Sequence, residues 1–310
     1  MTLPALLEGR LSLPLIASPM FIVSQPSLVI AQCRAGIVGA FPSLNARPSG
    51  VLEQWLRQLR DELTERDAPF AVNLIVHKTN ARLEEDLGLC VKYRVPIVIT
   101  SLGARPEVNE AVHSYGGIVL HDVINNMFAK KAIEKGADGL IAVAAGAGGH
   151  AGTLSPFALV EEVRAWFDGP LILSGAIATG RSIAAARMMG VDLAYMGSPF
   201  IATEEANAEP GYKQMIVDSG AAEIVYSDYF TGVHGNYLRP SIAAAGLGAD
   251  TLPTAANLDF GSIAEGGKKA WRDVWGAGQG IGAIRTIQPA ASFIEQLKNE
   301  YQAAISAFRS

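Results

Sequence analysis

Short, wholly apolar runs alternate with longer amphipathic stretches over the first two thirds of the chain. Polar positions do not alternate within the runs, so each predicts a strand that is buried on both faces, as in a parallel sheet. The intervening stretches predict helices; in 51–63, for example, apolar residues recur at helical spacing. The eight runs are Leu13–Ala17, Gly36–Phe41, Phe70–Ile75, Val95–Thr100, Gly117–His121, Gly139–Ala144, Pro170–Ser174 and Leu193–Met196.

Eight strand–helix units predict an α/β fold of the (β/α)8 type, the TIM barrel. A doubly wound open sheet is the alternative, but it usually has fewer strands and a glycine-rich fingerprint after the first one. Here the first run ends in Ala17-Ser18-Pro19-Met20, without glycine. The barrel interpretation is therefore preferred.

After Ile201 the pattern changes. Residues 202–220 predict a helix, 226–242 are rich in aromatic and turn residues, and Pro289–Phe308 predicts a last helix that packs back on the barrel. We expect a second, smaller and mainly helical domain that caps the barrel mouth. The predicted division is 1–204 with the C-terminal helix 286–310 for the barrel, and 205–285 for the capping domain.

Composition and charge exclude several classes of protein. The 25 Lys+Arg and 30 Asp+Glu residues give a formal net charge of −5, and no basic cluster is present to bind nucleic acid. An apolar content of 49% argues against disorder, and no apolar run reaches the ~20 residues of a membrane span. We expect Cys33 and Cys90 to be buried thiols in a cytoplasmic protein.

The chemistry of a (β/α)8 barrel lies at the carboxyl ends of its strands. The seventh and eighth runs end in SGAIATG (174–180) and MGSP (196–199). Small residues and backbone N–H groups there predict a phosphate site, with ordinary loop turns as the alternative. After the sixth run, GAGGHAG (146–152) brings His150 to the mouth, where an imidazole can act as acid or base.

Other candidate side chains have two explanations each. His121 ends the fifth run and either faces the site or fills a satisfied core position. Tyr229 and His234, in the aromatic segment, either line an apolar substrate pocket or pack between the two domains. No His, Cys or carboxylate spacing predicts a metal site, and no G-x-S-x-G motif indicates a hydrolase.

Six segments together resemble the nitronate monooxygenase family, formerly called 2-nitropropane dioxygenases. FMN-dependent NADH:quinone reductases and FabK-type enoyl-ACP reductases share this frame. The resemblance spans nearly the whole chain and implies an FMN that lies across the barrel mouth. Related sequences often carry a lysine after the fifth-strand histidine, where this chain has Asp122. The segments are LPLIASPM (13–20), FAVNL (70–74), GAGGHAG (146–152), LSGAIATG (173–180), AYMGSPF (194–200) and WGAGQGIG (275–282).

The resemblance also implies a role for individual residues. His150 matches the catalytic histidine of the family. Ser101, which follows the fourth run, is added as a cofactor contact because of its place at a strand end. The other implied FMN contacts are Pro19, Met20 and Phe21 along the isoalloxazine, Asn73 hydrogen-bonded to it, Gly148 and Gly149 at its border, Ser174, Gly175, Ala176, Gly197 and Ser198 at the phosphate, and Gln279 near both.

The implied reaction is FMN-dependent oxidation of alkyl nitronates with O2 to carbonyl compounds and nitrite, with His150 removing the α-proton of neutral nitroalkanes. The alternative is an FMN-dependent NAD(P)H:quinone or enoyl-thioester reductase, since the flavin supplies the hard chemistry in both. A flavin-free lyase or isomerase and a flavin-binding protein without turnover are further alternatives. The expected partners are a small nitronate and O2, with no nucleic acid or membrane, and a homodimer is the oligomer to test.

Overall fold

All eight predicted runs form parallel strands of one sheet. The computed structural model describes residues 3–48, 50–254 and 273–309. Neighbouring strands in the chain are neighbours in the sheet, which is the topology of a (β/α)8 barrel. In chain order the barrel strands are β1 (Leu15–Ala17), β2 (Gly39–Pro42), β3 (Phe70–Ile75), β4 (Ile97–Ser101), β5 (Ile118–Val123), β6 (Gly139–Val143), β8 (Leu171–Ser174) and β9 (Leu193–Met196).

The two ends of this sheet meet at β1 and β2. On one side β1 pairs with β9, with Ile16 opposite Tyr195. On the other side a single parallel bridge joins Ile16 to Val38, just before β2. The Ala17 N–H donates to the Val38 carbonyl at 2.7 Å, and the Val38 N–H donates to the Leu15 carbonyl at 3.2 Å. The predicted barrel is therefore confirmed, and the open sheet is not.

Strand residues point alternately into the barrel and toward the helices, which explains the continuous apolar runs. In β4, Ile97 and Ile99 belong to the apolar cluster that fills the barrel lumen. Val98 instead packs in the layer between sheet and helices. Leu7, which precedes β1, joins the lumen cluster and is 1% exposed. The N-terminal segment thus fills the barrel at the amino ends of the strands.

Local signals set the helix boundaries. The helix predicted for 51–63 is α2 (Val51–Glu62), and Gly50 precedes it at φ +87°. The helix α6 (Pro156–Arg164) begins at a proline, and Ser155 precedes it without a capping hydrogen bond from its side chain. The helices are α1 (Pro26–Arg34), α2, α3 (Leu83–Lys92), α4 (Pro106–His113), α5 (Asn126–Glu134), α6 (Pro156–Arg164), α7 (Gly180–Met188), α8 (Ser198–Ile201), α9 (Pro210–Asp218), α10 (Arg239–Ala244) and α11 (Ala290–Arg309).

The prediction of one helix over 202–220 is wrong in its first half. Only α9 is regular there, and it begins at Pro210. Proline lacks the N–H that a helix interior needs, and it disfavours helical geometry in the residue before it. The final helix is α11, one residue displaced from the prediction, and its Ile294 and Leu297 belong to the same apolar cluster as Ile183 of α7.

A small second sheet lies in the region predicted to be mainly helical. It consists of β7 (Gly149–His150), β11 (Gly235–Leu238) and β10 (Ile224–Ser227), with β11 antiparallel to both of the others. A Cβ on Gly235 would lie 2.9 Å from the Gly149 carbonyl oxygen, so glycine permits this pairing. The mainly helical character of 205–285 is not confirmed; 255–272 lie outside the described residues, and the domain division stays a prediction.

Candidate active site

Three polar side chains enter the lumen where neighbouring strands end. Asn73, Ser101 and Asp122 lie on β3, β4 and β5, at positions that alternate with outward-facing residues. The Asn73 Nδ2 donates to Ser101 Oγ at 2.7 Å and to the Ile99 carbonyl at 3.1 Å. The Ser101 Oγ donates to Asp122 Oδ2 at 2.5 Å. The structure thus joins the predicted residues Asn73 and Ser101 to Asp122 in one hydrogen-bonded row.

The Asp122 carboxyl lies in a low-dielectric setting. Burial raises its pKa to about 6, and the hydrogen bond from Ser101 opposes this rise. Its second oxygen, Oδ1, is buried without a hydrogen-bond partner among the described residues. Burial, and secondarily the charge of Asp122, also raise the pKa of Tyr195 on β9. The lumen therefore holds a carboxyl and a phenol close enough to influence one another.

A cavity with about 270 Å³ of empty space lies beyond the ends of β6, β8 and β9. Its walls are mostly glycine, alanine and serine, and no lining side chain among the described residues is charged. Five predicted phosphate residues line it, together with Gly148. The lining residues are Gly146, Ala147, Gly148, Ser174, Gly175, Ala176, Ile177, Ala178, Tyr195, Gly197, Ser198, Pro199, Gly278 and Gly280.

Two glycines let three loops pack backbone to backbone around this cavity. A Cβ on Gly148 would lie 2.8 Å from the Gly278 nitrogen, and one on Gly280 would lie 2.7 Å from the Ala176 carbonyl oxygen. Contacts this short exclude a side chain without movement of the backbone. The Gly278 N–H donates to Ser198 Oγ at 2.8 Å. The segment around 278, far away in sequence, thus completes the wall.

Gln279 contacts the site with its side chain and its backbone, and a Cβ on Gly146 would lie 3.0 Å from Gln279 Oε1. Its N–H donates to the Gly146 carbonyl at 2.9 Å, and the Ala176 N–H donates to the same oxygen at 3.2 Å. The Gln279 residue itself is exposed. This arrangement ties the loop after β6 to the loop after β8 and to the 278 segment.

The loop after β1 carries Pro19, Met20 and Phe21 to the mouth. A Cβ atom added to Gly197 would lie 3.5 Å from the Met20 sulfur, so Met20 borders the loop that follows β9. The Phe21 ring lies 5.5 Å from the Arg47 guanidinium carbon. Asn45 holds the loop, because its Nδ2 donates to the Met20 carbonyl at 3.0 Å and its Oδ1 accepts from the Ile22 N–H at 2.8 Å.

His150 is held between the barrel and the β10–β11 hairpin. It lies on β7, opposite Gly235 of β11. Its Nε2 is 2.8 Å from Thr231 Oγ1, in the loop that joins β10 to β11. Thr231 is 4% exposed. The predicted catalytic histidine thus lies in the loop that also lines the cavity, two residues after Gly148.

The contact between Thr231 and His150 depends in direction on the tautomer of the ring. The Thr231 hydroxyl donates to the Val233 carbonyl at 3.0 Å or to an unprotonated His150 Nε2 at 2.8 Å, and it accepts from Nε2–H when that nitrogen carries a proton. Burial lowers the pKa of His150 to about 4, so the ring is neutral at pH 7.

His121 does not face the lumen. It shares the outer face of β5 with Val119 and Val123, which pack against the helix layer. Its Nδ1 lies 2.5 Å from Thr100 Oγ1, the residue is 5% exposed, and burial lowers its pKa to about 4. The expected substrate contact is therefore corrected to a satisfied core position, because strand alternation turns His121 away when Asp122 points inward.

Tyr229 and His234 lie on the outer part of the hairpin. Tyr229 is 38% exposed and meets Phe230 edge to face at a centroid distance of 5.2 Å. His234 is exposed and stacks on Tyr226 at 5.0 Å. They share a hairpin with Thr231, and their contact with a substrate stays a prediction.

Sequence reasoning missed three side chains that shape the site: Asn45, Thr231 and Asn236. Asn236 is 3% exposed, and its Nδ2 donates to the Ala147 carbonyl at 2.6 Å, which fixes the loop between β6 and His150. A polar residue inside the apolar stretch Gly235–Leu238 was a usable signal. Asn45 and Thr231 carry no such signal, because their roles depend on tertiary contacts.

Two negative observations apply to the described part of the chain. No group of three or more His, Cys, Asp or Glu side chains there is arranged to hold a metal ion. Within the same residues, no helix combines the length and apolar character that crossing a membrane requires. Cys33 and Cys90 are free thiols, and both are buried, as predicted.

Comparisons with known proteins identify the family and the fold. The family model described as nitronate monooxygenase matches residues 80–300. A nitronate monooxygenase of Paraburkholderia phytofirmans is 27% identical, with 96% of this chain and 94% of that protein covered. The structure of FabK from Thermotoga maritima superimposes with a TM-score of 0.80 at 25% identity, covering 98% of this chain and 96% of FabK. Nitroalkane oxidase from Streptomyces ansochromogenes gives a TM-score of 0.79 at 23% identity, covering 98% and 100%, and shares the fold.

Proposed function

Because the chain belongs to the nitronate monooxygenase family, we propose that it binds FMN at the barrel mouth and oxidises alkyl nitronates with O2 to carbonyl compounds and nitrite. One observation carries this proposal. A single loop after β6 lines the small-residue cavity with Gly146, Ala147 and Gly148 and then delivers His150 at β7. An anion site and a titratable base are therefore linked by two residues of chain.

The cavity fits the phosphate of FMN. Its walls are neutral and small, so a phosphate would meet backbone N–H groups and the Ser174 and Ser198 hydroxyls without facing a carboxylate. The loops after β8 and β9, which supply these residues, form the usual phosphate site of this fold. We assign Ser174, Gly175, Ala176, Gly197 and Ser198 to the phosphate.

The lumen side of the mouth fits the flavin ring. Asn73, Ser101 and Asp122 offer polar atoms there, and the buried Asp122 Oδ1 lacks a partner that a ligand can supply. Met20 and Phe21 supply apolar surface on the other side. FMN, when bound, supplies the redox chemistry that passes electrons from the substrate to O2.

His150 would hold and move the proton. The neutral ring at pH 7 can accept the α-proton of a nitroalkane, and the resulting imidazolium attracts the nitronate anion. An anion bound beside the ring also raises its pKa from the low value that burial imposes. Thr231 keeps the ring in place through the hydrogen bond between its hydroxyl and Nε2.

The test compares two substrates in one variant. We expect His150→Asn to lower turnover of a neutral nitroalkane by about 10²–10⁴-fold, the usual contribution of a placed base, and to affect a preformed nitronate far less. Turnover is measured as nitrite release and O2 uptake with the purified protein, whose visible spectrum reports the flavin. Equal losses on both substrates would exclude the base role, and a colourless protein that takes up no FMN would exclude the proposal.

The similarity to FabK supports one alternative function, that of a flavin-dependent reductase. A reductase would accept hydride from a nicotinamide at the same flavin and pass it to a quinone or an enoyl thioester. Anaerobic mixing with NADH separates the two proposals. Rapid bleaching of the flavin would favour the reductase, whereas an unchanged flavin that a nitronate reduces would favour the oxidation.

A further inference from the structure

Asp122 is a carboxyl that the proposed reaction does not use. It lies in the lumen next to the end of β5, and no ion pair involves it among the described residues. A buried carboxylate without a cation is costly, so such a group is retained in its neutral form or for a ligand.

The direction of the hydrogen bonds places the proton of this carboxyl. The Asn73 amide nitrogen can only donate, so Ser101 Oγ accepts from it. The single Ser101 proton then goes to Asp122 Oδ2. Oδ2 is therefore an acceptor, and in the neutral carboxyl the proton belongs on Oδ1. That is also the oxygen without a partner.

The surroundings support a neutral carboxyl. Burial raises the pKa of Asp122 to about 6, and no cation among the residues that the structure describes opposes that rise. The phenol of Tyr195 on β9 shares the lumen and stays neutral because its own pKa is raised. His121 lies on the outer face of the same strand, and His150 lies on β7 beyond the mouth. Among the described residues, neither imidazole is a cause of the raised pKa of Asp122.

We propose that Asp122 is a cofactor-binding residue that donates a hydrogen bond from Oδ1 to an acceptor atom of a planar heteroaromatic ring at the barrel mouth. The hydrogen bonds from Asn73 to Ser101 and from Ser101 to Oδ2 orient the carboxyl, and they leave the proton on Oδ1, the oxygen that would face the ring. Loss of this proton turns the donor into an anion, which has nothing to donate. This inference rests on the proposed flavin site, and it predicts ring binding that weakens as the pH rises.

Riboflavin is the probe because it carries the ring but lacks the phosphate. The phosphate of FMN would itself titrate near pH 6 and obscure the titration of Asp122. We expect its dissociation constant for the full chain stripped of FMN to rise about tenfold from pH 5 to pH 8, the equivalent of one hydrogen bond. The midpoint should lie near pH 6. Fluorescence quenching of the flavin measures the affinity without any turnover.

Two variants separate the donor role from simple packing. Asp122→Asn keeps the shape of the side chain and places an amide N–H in the position of the Oδ1 proton. The affinity of this variant for riboflavin should therefore match that of wild type at pH 5 and stay constant up to pH 8. Ser101→Ala removes the hydrogen bond that stabilises the anion, so the midpoint should move to higher pH.

Three results would overturn the proposal. These are the same pH dependence in wild type and Asp122→Asn, a midpoint that moves down in Ser101→Ala, and a dissociation constant that falls as the pH rises, which would make the carboxylate an acceptor. Failure of the proposed function alone looks different: the flavin-loaded protein would not oxidise nitronates while the titration still behaved as described. A protein that binds neither FMN nor riboflavin at any pH would overturn both.

Discussion

At the scale of single residues, the site depends on side chains that orient the groups doing chemistry. Thr231 Oγ1 lies 2.8 Å from His150 Nε2 and 3.0 Å from the Val233 carbonyl, so it can accept from a protonated His150 while its own proton goes to Val233. The imidazolium makes the same hydrogen bond more strongly, because charge-assisted bonds are shorter and stronger. Thr231 therefore favours the protonated histidine without contacting a substrate itself.

Replacing this hydroxyl should change the acidity of His150. We expect Thr231→Val to lower the pKa of His150, because the imidazolium loses an acceptor, and to reduce turnover of neutral nitroalkanes by about tenfold. The pKa is measured by NMR titration of the ring, and turnover is measured against pH. Thr231→Ser keeps the hydroxyl and is the matched control; equal effects of both variants would reduce Thr231 to a packing residue.

At the scale of elements, the barrel depends on close contact between α7 and α11. Gly180 opens α7, and a Cβ there would lie 2.2 Å from the Leu297 carbonyl oxygen and 2.4 Å from the Tyr301 nitrogen. Both are backbone atoms of α11, so they cannot move without shifting that helix. The Gly180 N–H also donates to Glu300 at 2.8 Å. The glycine is therefore required by the approach of the two helices.

We expect Gly180→Ala to destabilise the protein by about 1–3 kcal/mol, the usual cost of overpacking. Gly88→Ala is the matched control, because Gly88 lies within α3 with open space around its ideal Cβ. That change should stabilise by about 0.5–1 kcal/mol. Urea unfolding measures both, and a Gly180→Ala protein as stable as wild type would show that α11 can move away at no cost.

At the scale of the whole molecule, buried titrating groups make stability depend on pH. The pKa of His121 is about 4 when folded, against about 6.5 for an ordinary histidine. Between these values the unfolded chain binds the proton and the folded chain does not, so stability falls as the pH falls. Asp122 acts in the opposite sense, since its raised pKa lets the folded state bind the proton between about pH 4 and 6.

The histidine contribution can be isolated with His121→Gln. The shift of His121 corresponds to about 3 kcal/mol between pH 6.5 and pH 4. We expect the stability advantage of wild type over the variant, measured by urea unfolding, to be greatest at pH 7 and to shrink toward pH 4. A difference that stays constant across this range would mean that His121 titrates normally in the folded protein.

The sequence predicts the barrel well because each strand is buried on both faces and its period is unambiguous. It also locates the loop with His150 and the small-residue turns after β8 and β9, since strand ends are marked by glycine. It fails for His121, because one residue of strand register decides between lumen and helix layer. The β7–β10–β11 sheet is missed because two-residue β7 has no periodicity, and Thr231 meets His150 only through that pairing.

The bridge between Ile16 and Val38 has a mechanical consequence. Every other neighbouring pair of barrel strands shares a ladder, but β1 is joined to the segment before β2 by one bridge, which consists of the two backbone hydrogen bonds between Val38 and Leu15 and Ala17. A further hydrogen bond, from the Ser12 N–H to the Gly36 carbonyl, lies just before the two strands. The pairing with the fewest interstrand contacts therefore lies next to the start of the loop that carries Met20 and Phe21. Separation of the barrel wall at this position would break one bridge, whereas separation of any other neighbouring pair of barrel strands would break a ladder.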